Sequence, residues 1–179
     1  MTEIASNQPN IAEIFSAAGT ILTTIFAGLA LYNWKDQKKY ELRMDAIAKG
    51  RVALDLVFKL RRYEKSNELT FQSVEEDRKH YVTTFQSDRH LYEEILRIKA
   101  QLGDNYGESH KMTMFFEKTI SVINAIKYAH QNMSNIIKNG ITEESENAIR
   151  SAQNLIYFPA TENDVSYDLE QQYEDMIKK

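Results

Sequence analysis

Reactive side chains are few in this sequence, and their spacing suits joint action poorly. Cysteine is absent, which removes thiolate nucleophiles and cysteine-held metals from consideration. The four histidines are His80, His90, His110 and His130. His80 and His90 each sit beside a basic residue, at positions expected to be solvated, and His110 falls where a helix is expected to start. His130 occupies an apolar stripe between Ile126 and Met133, where a lone imidazole reads as a hydrogen-bonded interior group rather than a ligand. Acid–base catalysis by carboxylates would need two of them converging on one proton. Glu75-Glu76, Glu93-Glu94 and Glu143-Glu144 are adjacent, so on a helix each pair diverges by about 100° and reads as a solvated face or a cap. No glycine-rich phosphate loop and no H-E-x-x-H motif occurs. The expectation is a non-enzymatic protein with no cofactor and no catalytic, cofactor-binding or metal-binding residues.

The element that organises the rest is an early apolar run. Ile14 to Tyr32 is nineteen residues without charge or proline. As a helix it reaches roughly 28 Å at about 1.5 Å per residue, close to the ~30 Å hydrocarbon layer of a bilayer. Tyr32 and Trp34 stand at its end, followed by Lys35, Lys38 and Lys39, the pattern of a membrane–water interface. A signal peptide would want a basic leader, and MTEIASNQPNIAE has no Lys or Arg. A buried helix of a soluble core is the other reading, because Ser16, Thr20, Thr23 and Thr24 make the run mildly polar. A single transmembrane helix is the expectation. Residues 35 to 65 carry ten Lys or Arg against five Asp or Glu, a net of +5, so the N-terminus is expected outside and the C-terminal domain in the cytoplasm. Ser16, Gly19, Thr20, Thr23, Thr24, Ala27 and Gly28 recur at three- and four-residue spacing as a small, weakly polar stripe. Such a stripe lets helices pack closely in lipid, or lines a lumen if several copies form a ring.

Beyond the membrane the fold class is all-α. Two prolines and six glycines in 179 residues leave little to interrupt helices. The expected organisation is an extracytoplasmic leader (1–13), the transmembrane helix (14–34), a basic stem helix (35–64) continuous with it, and a cytosolic helical bundle (65–179). Within the bundle, Ser73 with Glu76 suggests a capping box opening one long helix that ends near Gly103. A second helix runs to Asn139 with Gly140 as its stop, a third starts at Thr142 and ends before Pro159, and a fourth covers 166–178. Residues 66 to 179 carry a net of −7, a poor basis for direct nucleic-acid binding.

Helical bundles of the HEPN ribonuclease type carry an Arg followed a turn or so later by His. No arginine here has that partner, and the nearest look-alike, Arg150-Ser-Ala-Gln-Asn154, lacks the imidazole. His130 and Arg150 are the residues a degenerate HEPN site would use. With the apolar run passing into ALYNWKDQKKYELRMDAIAKGRVALDLVFKLR, the layout resembles the small membrane accessory proteins of type VI-B CRISPR loci. That resemblance implies a homo-oligomeric pore in a bacterial inner membrane that strengthens antiviral defence by depolarising that membrane. Its partners would be other copies of the chain, the lipid bilayer, and an RNA-guided effector complex or its products. Two alternatives stay open: a membrane-tethered module that recruits a cytosolic protein, and a degenerate RNA-processing bundle.

Overall fold

Fifty residues, Ile11–Leu60, form one helix, α1. Nothing between them breaks it: no proline occurs, and the glycines Gly19, Gly28 and Gly50 are isolated. The computed structural model describes residues 11–61, 70–157 and 165–178, without the side chains of 11–15, 17, 143, 144 and 165. The leader and Pro159 therefore lie outside the described residues. Five further helices follow: α2 (Phe71–Ser87), α3 (Arg89–Tyr106), α4 (Lys111–Asn139), α5 (Glu143–Ile156) and α6 (Val165–Ile177). The fold is all-helical, with no strand among the described residues.

The chain divides into two compact units, Met1–Glu41 and Leu42–Lys179. In the first, every described side chain from Ala18 to Tyr40 is exposed. Among the described residues no helix is long and apolar enough to cross a membrane. The transmembrane helix expected over 14–34 takes in Ile14, Phe15 and Ala17, whose side chains lie outside the described residues.

The second unit has a core built around α4, which packs against α2, α3, α5 and α6. Phe115, Phe116, Ile123 and Ile126 are its largest buried side chains, and Phe115 meets Phe116 edge-on with centroids 5.2 Å apart. Ala46, Ala53, Leu54, Leu56, Val57 and Leu60, from the later part of α1, belong to the same core. Gly50 lets α6 come close: a Cβ there would stand 2.8 Å from Cε2 of Tyr173 and 2.9 Å from Cε of Met176. A smaller cluster of Val74, Ala129, Met133, Ala152, Ile156 and Tyr157 joins α2, α4 and α5.

Local chemistry moves several expected boundaries. The cap of α2 is Thr70, whose hydroxyl accepts from Ser73 N while Ser73 Oγ accepts from Thr70 N, so Ser73 is the third helical residue rather than the cap. The single helix expected from Ser73 to Gly103 is two. Asp88, at φ −103° and ψ 15°, leaves the helical region between α2 and α3, and Lys59 Nζ holds its carboxylate at 3.1 Å. Gly103 does not end α3. The stop is Gly107, which supplies φ +89°. Gly140 ends α4 with φ +93°, and the Thr142–Ser145 capping box opens α5, both where the sequence places them.

Candidate functional site

The first unit presents the expected packing residues as an open surface. Ser16, Gly19, Thr20, Thr23, Thr24, Ala27 and Gly28 are all exposed, and nothing lies within 4 Å of where a Cβ would stand on Gly19 or Gly28. The three threonine hydroxyls are satisfied inside the helix. Thr20 Oγ1 donates to Ser16 O at 2.9 Å, Thr23 Oγ1 to Gly19 O at 2.8 Å, and Thr24 Oγ1 to Thr20 O at 2.8 Å. Back-bonding of this kind spends the hydroxyl proton on the helix's own carbonyl and leaves the methyl groups outermost. Ile21, Leu22, Ile25, Phe26, Leu29 and Leu31 complete the circumference, each more than half exposed. Apart from glycine and the back-bonded threonines, the side chains from Ala18 to Leu31 are aliphatic or aromatic, an exposed apolar surface of the kind that marks an interaction site.

At the end of the run Tyr32 and Trp34 are exposed, and Lys38 Nζ lies 4.3 Å from the Trp34 ring centre. Lys35 and Lys39 are exposed as well. Amphipathic rings with a cation one turn on are the chemistry of a surface where an apolar phase meets water.

The second unit carries a buried polar group that spacing alone does not reveal. Arg61, just past α1, donates to Asn154 O at 2.9 Å, Tyr157 O at 2.8 Å and Ser166 Oγ at 2.5 Å. Its guanidinium thus satisfies carbonyls at the C-terminus of α5, not those of its own helix, and ties α5 to α6. Asp77 on α2, 6% exposed, accepts a hydrogen bond from Tyr157 Oη. Tyr81 is also buried. It packs at a tilt against His130 with ring centroids 4.9 Å apart and stacks on Phe85 at 5.8 Å. Burial pushes the Tyr81 phenol up to about 12, and its hydroxyl has no hydrogen-bond partner among the described residues. Near the surface, Glu75 accepts from Arg78 at 2.9 Å and from Ser134 Oγ, and these bonds hold its carboxylate below the usual range.

His130, 2% exposed, is therefore an interior ring on α4, as its stripe position predicts. Arg150 is on the exterior of α5, ion-paired to Glu146 one turn back at 3.9 Å. The two candidates for a degenerate HEPN pair occupy opposite environments, one core and one solvent. His110 caps α4, its Nδ1 accepting from Met112 N at 3.3 Å. Among the described residues no group of His, Asp or Glu is placed to hold a metal.

The interior Arg61–Asp77–Tyr157–Ser166 connections were not anticipated. One signal was available: Asp77 falls between Val74 and Tyr81 on the buried stripe of α2, and a carboxylate there requires a buried partner. Its partner, eighty residues on, has no such mark in the sequence. No family model, curated protein or solved structure matches the chain.

Proposed function

We propose that the first half of α1 is embedded in a lipid bilayer and that the chain acts as a membrane-embedded homo-oligomer that permeabilises or depolarises the membrane. The carrying observation is the exposed, largely apolar circumference of α1 from Ala18 to Leu31, with its threonine hydroxyls already bonded to the helix backbone. In hydrocarbon each polar group needs an internal partner, and back-bonded threonines meet that demand. On this reading the span takes in Ile14 and Phe15, giving the nineteen uncharged residues that a crossing needs. Tyr32, Trp34 and the lysines at 35, 38 and 39 mark the cytoplasmic interface.

The small stripe is the surface on which copies meet. Glycine and alanine allow backbones to approach, and the threonine methyl groups interlock. The defence context is what the resemblance to type VI-B accessory proteins implies, and the partner reading, an RNA-guided complex or its products, belongs to that same implication.

Membrane potential in expressing cells tests the proposal. Replacing Thr20, Thr24 and Gly28 by Leu fills the stripe and is expected to abolish depolarisation while the protein stays in the membrane fraction. Depolarisation that survives the triple substitution removes the stripe from the mechanism. A fully active chimera with an unrelated transmembrane helix favours the tether instead.

A further inference from the structure

The second unit contains a cavity of ≈ 440 Å³ whose walls come from four separate elements. Arg43 contributes from α1, Tyr106 from the end of α3, His110 and Lys111 from the start of α4, and Asp175 with Lys178 from α6 and its end. The protein as a whole is acidic, with 26 Asp and Glu against 22 Lys and Arg. Most of its described basic side chains on the helices meet a carboxylate, as Lys49 meets Glu94 at 2.6 Å and Lys99 meets Glu108 at 2.9 Å. The cavity departs from that pattern. Arg43, half-buried, and Lys111 are ion-paired to no carboxylate among the described residues. Lys178 reaches only Asp175, at 3.8 Å. The lining thus holds three cations against one carboxylate.

We infer that this cavity binds a phosphate ester carried by a small organic ligand. Like charges brought to one concave surface repel each other unless an anion sits between them, and a phosphate offers each cation a strong acceptor. A guanidinium is the side chain best shaped to grip a phosphate, and Arg43 stands with both Lys111 and Lys178 on the same wall set. The free end of the α4 helix is not what holds the ligand, since the Met112 N–H is already taken by His110. The cations are. The volume lies in the ~300–1,000 Å³ range of small-molecule sites, leaving room for more than the phosphate group. The rings of Tyr106 and His110, with centroids 4.8 Å apart and planes tilted by 33°, add aromatic surface against which a base or similar ring can pack. A ligand there bridges α1, α3, α4 and the end of α6, so occupancy couples the elements that meet around α4.

The test is calorimetric titration of the full chain in detergent with ATP, AMP and adenosine, and in parallel with vesicles containing phosphatidic acid. ATP and AMP are expected to bind and adenosine not to, with Arg43→Gln, Lys111→Gln and Lys178→Gln each weakening affinity by about ten-fold or more, and Arg150→Gln without effect. Lys111 and Lys178 are exposed, so their substitution leaves the fold intact and keeps the test decisive even if Arg43→Gln is unstable. Vesicle binding that depends on the same three cations, with no response to nucleotide, assigns the phosphate to a lipid headgroup. Absence of binding to either probe, or binding indifferent to all three substitutions, overturns the inference.

Discussion

Arg61 shows what a single interior cation can organise. Hydrogen bonds from its guanidinium run to Asn154, Tyr157 and Ser166, far along the chain, and two of the acceptors are carbonyls at the end of α5. Lysine at this position keeps the charge but loses the planar fork, so Arg61→Lys is expected to lower stability by about 1–3 kcal/mol in urea denaturation. An unchanged midpoint would place the tie elsewhere. Tyr81 behaves in the opposite sense. Its buried hydroxyl lacks a partner among the described residues, so Tyr81→Phe is expected to be neutral or stabilising by up to about 1 kcal/mol. The wild-type phenol should resist ionisation until about pH 12 in ultraviolet titration. Its folded value is raised, so any stability it contributes is intact below pH 10 and lost as pH climbs towards 12. Glu75 and Glu94 work at the acid end. Arg78 holds the first and Lys49 the second below the ordinary carboxylate value of 4.5. Their contribution is present above that value and fades as pH falls through the depressed range. Thermal melts from pH 6 to about pH 3 should therefore show a shallower decline for Glu75→Gln with Glu94→Gln than for wild type.

Elements whose signals are local could be read directly from the chain. The Thr142–Ser145 box and Gly140 act within one turn of themselves, and both delimit helices where the sequence places them. The long unbroken α1 was legible for the same reason, since only proline or a cluster of glycines would have interrupted it. The break at Asp88 was not legible. Its Asp88 carboxylate meets Lys59, a residue of another helix that no window of sequence around Ser87 contains. The cavity around Arg43 escaped for the same reason, because its lining is spread from position 43 to position 178. Gly50 belongs with these distant effects. In sequence it is an ordinary weak point of a helix, whereas in the fold it is the contact on which Tyr173 rests, the Tyr173 hydroxyl also donating to Ile47 O at 3.1 Å. Alanine favours helix over glycine by roughly 0.8–1 kcal/mol, yet its Cβ would stand inside the Tyr173 ring's van der Waals surface. Overpacking is expected to win, with Gly50→Ala destabilising by about 1 kcal/mol in the wild type. In a Tyr173→Ala background that cost should shrink or reverse, which a double-mutant cycle measures directly.

At the scale of the whole molecule, the two units differ in what they expose. The unit from Leu42 onward buries most of its described large aliphatic and aromatic side chains and keeps most of its described charges outside, as a core folded in water does. The first unit inverts that arrangement, holding Ile25, Phe26 and Leu29 in the open at 52%, 68% and 55%. A chain that had only to fold in water would gain by making those positions polar, which is the ground for proposing a lipid cover. If lipid is the cover, charge at the middle of the run should be the most damaging change available to targeting. Each lysine at the centre of a membrane helix costs on the order of 2.5–3.5 kcal/mol of insertion. The pair Ile25→Lys and Leu29→Lys is therefore expected to move the protein from the alkali-resistant membrane fraction to the aqueous one. Neither residue belongs to the core of the second unit, so the thermal transition of that unit should stay within a degree or two of wild type. Loss of the transition together with loss of membrane retention would mean that the early segment holds the fold together. Retention of the doubly charged variant in the membrane would mean that α1 is not what binds the protein there. Only a selective loss of retention matches a helix that serves the bilayer and a core that stands without it.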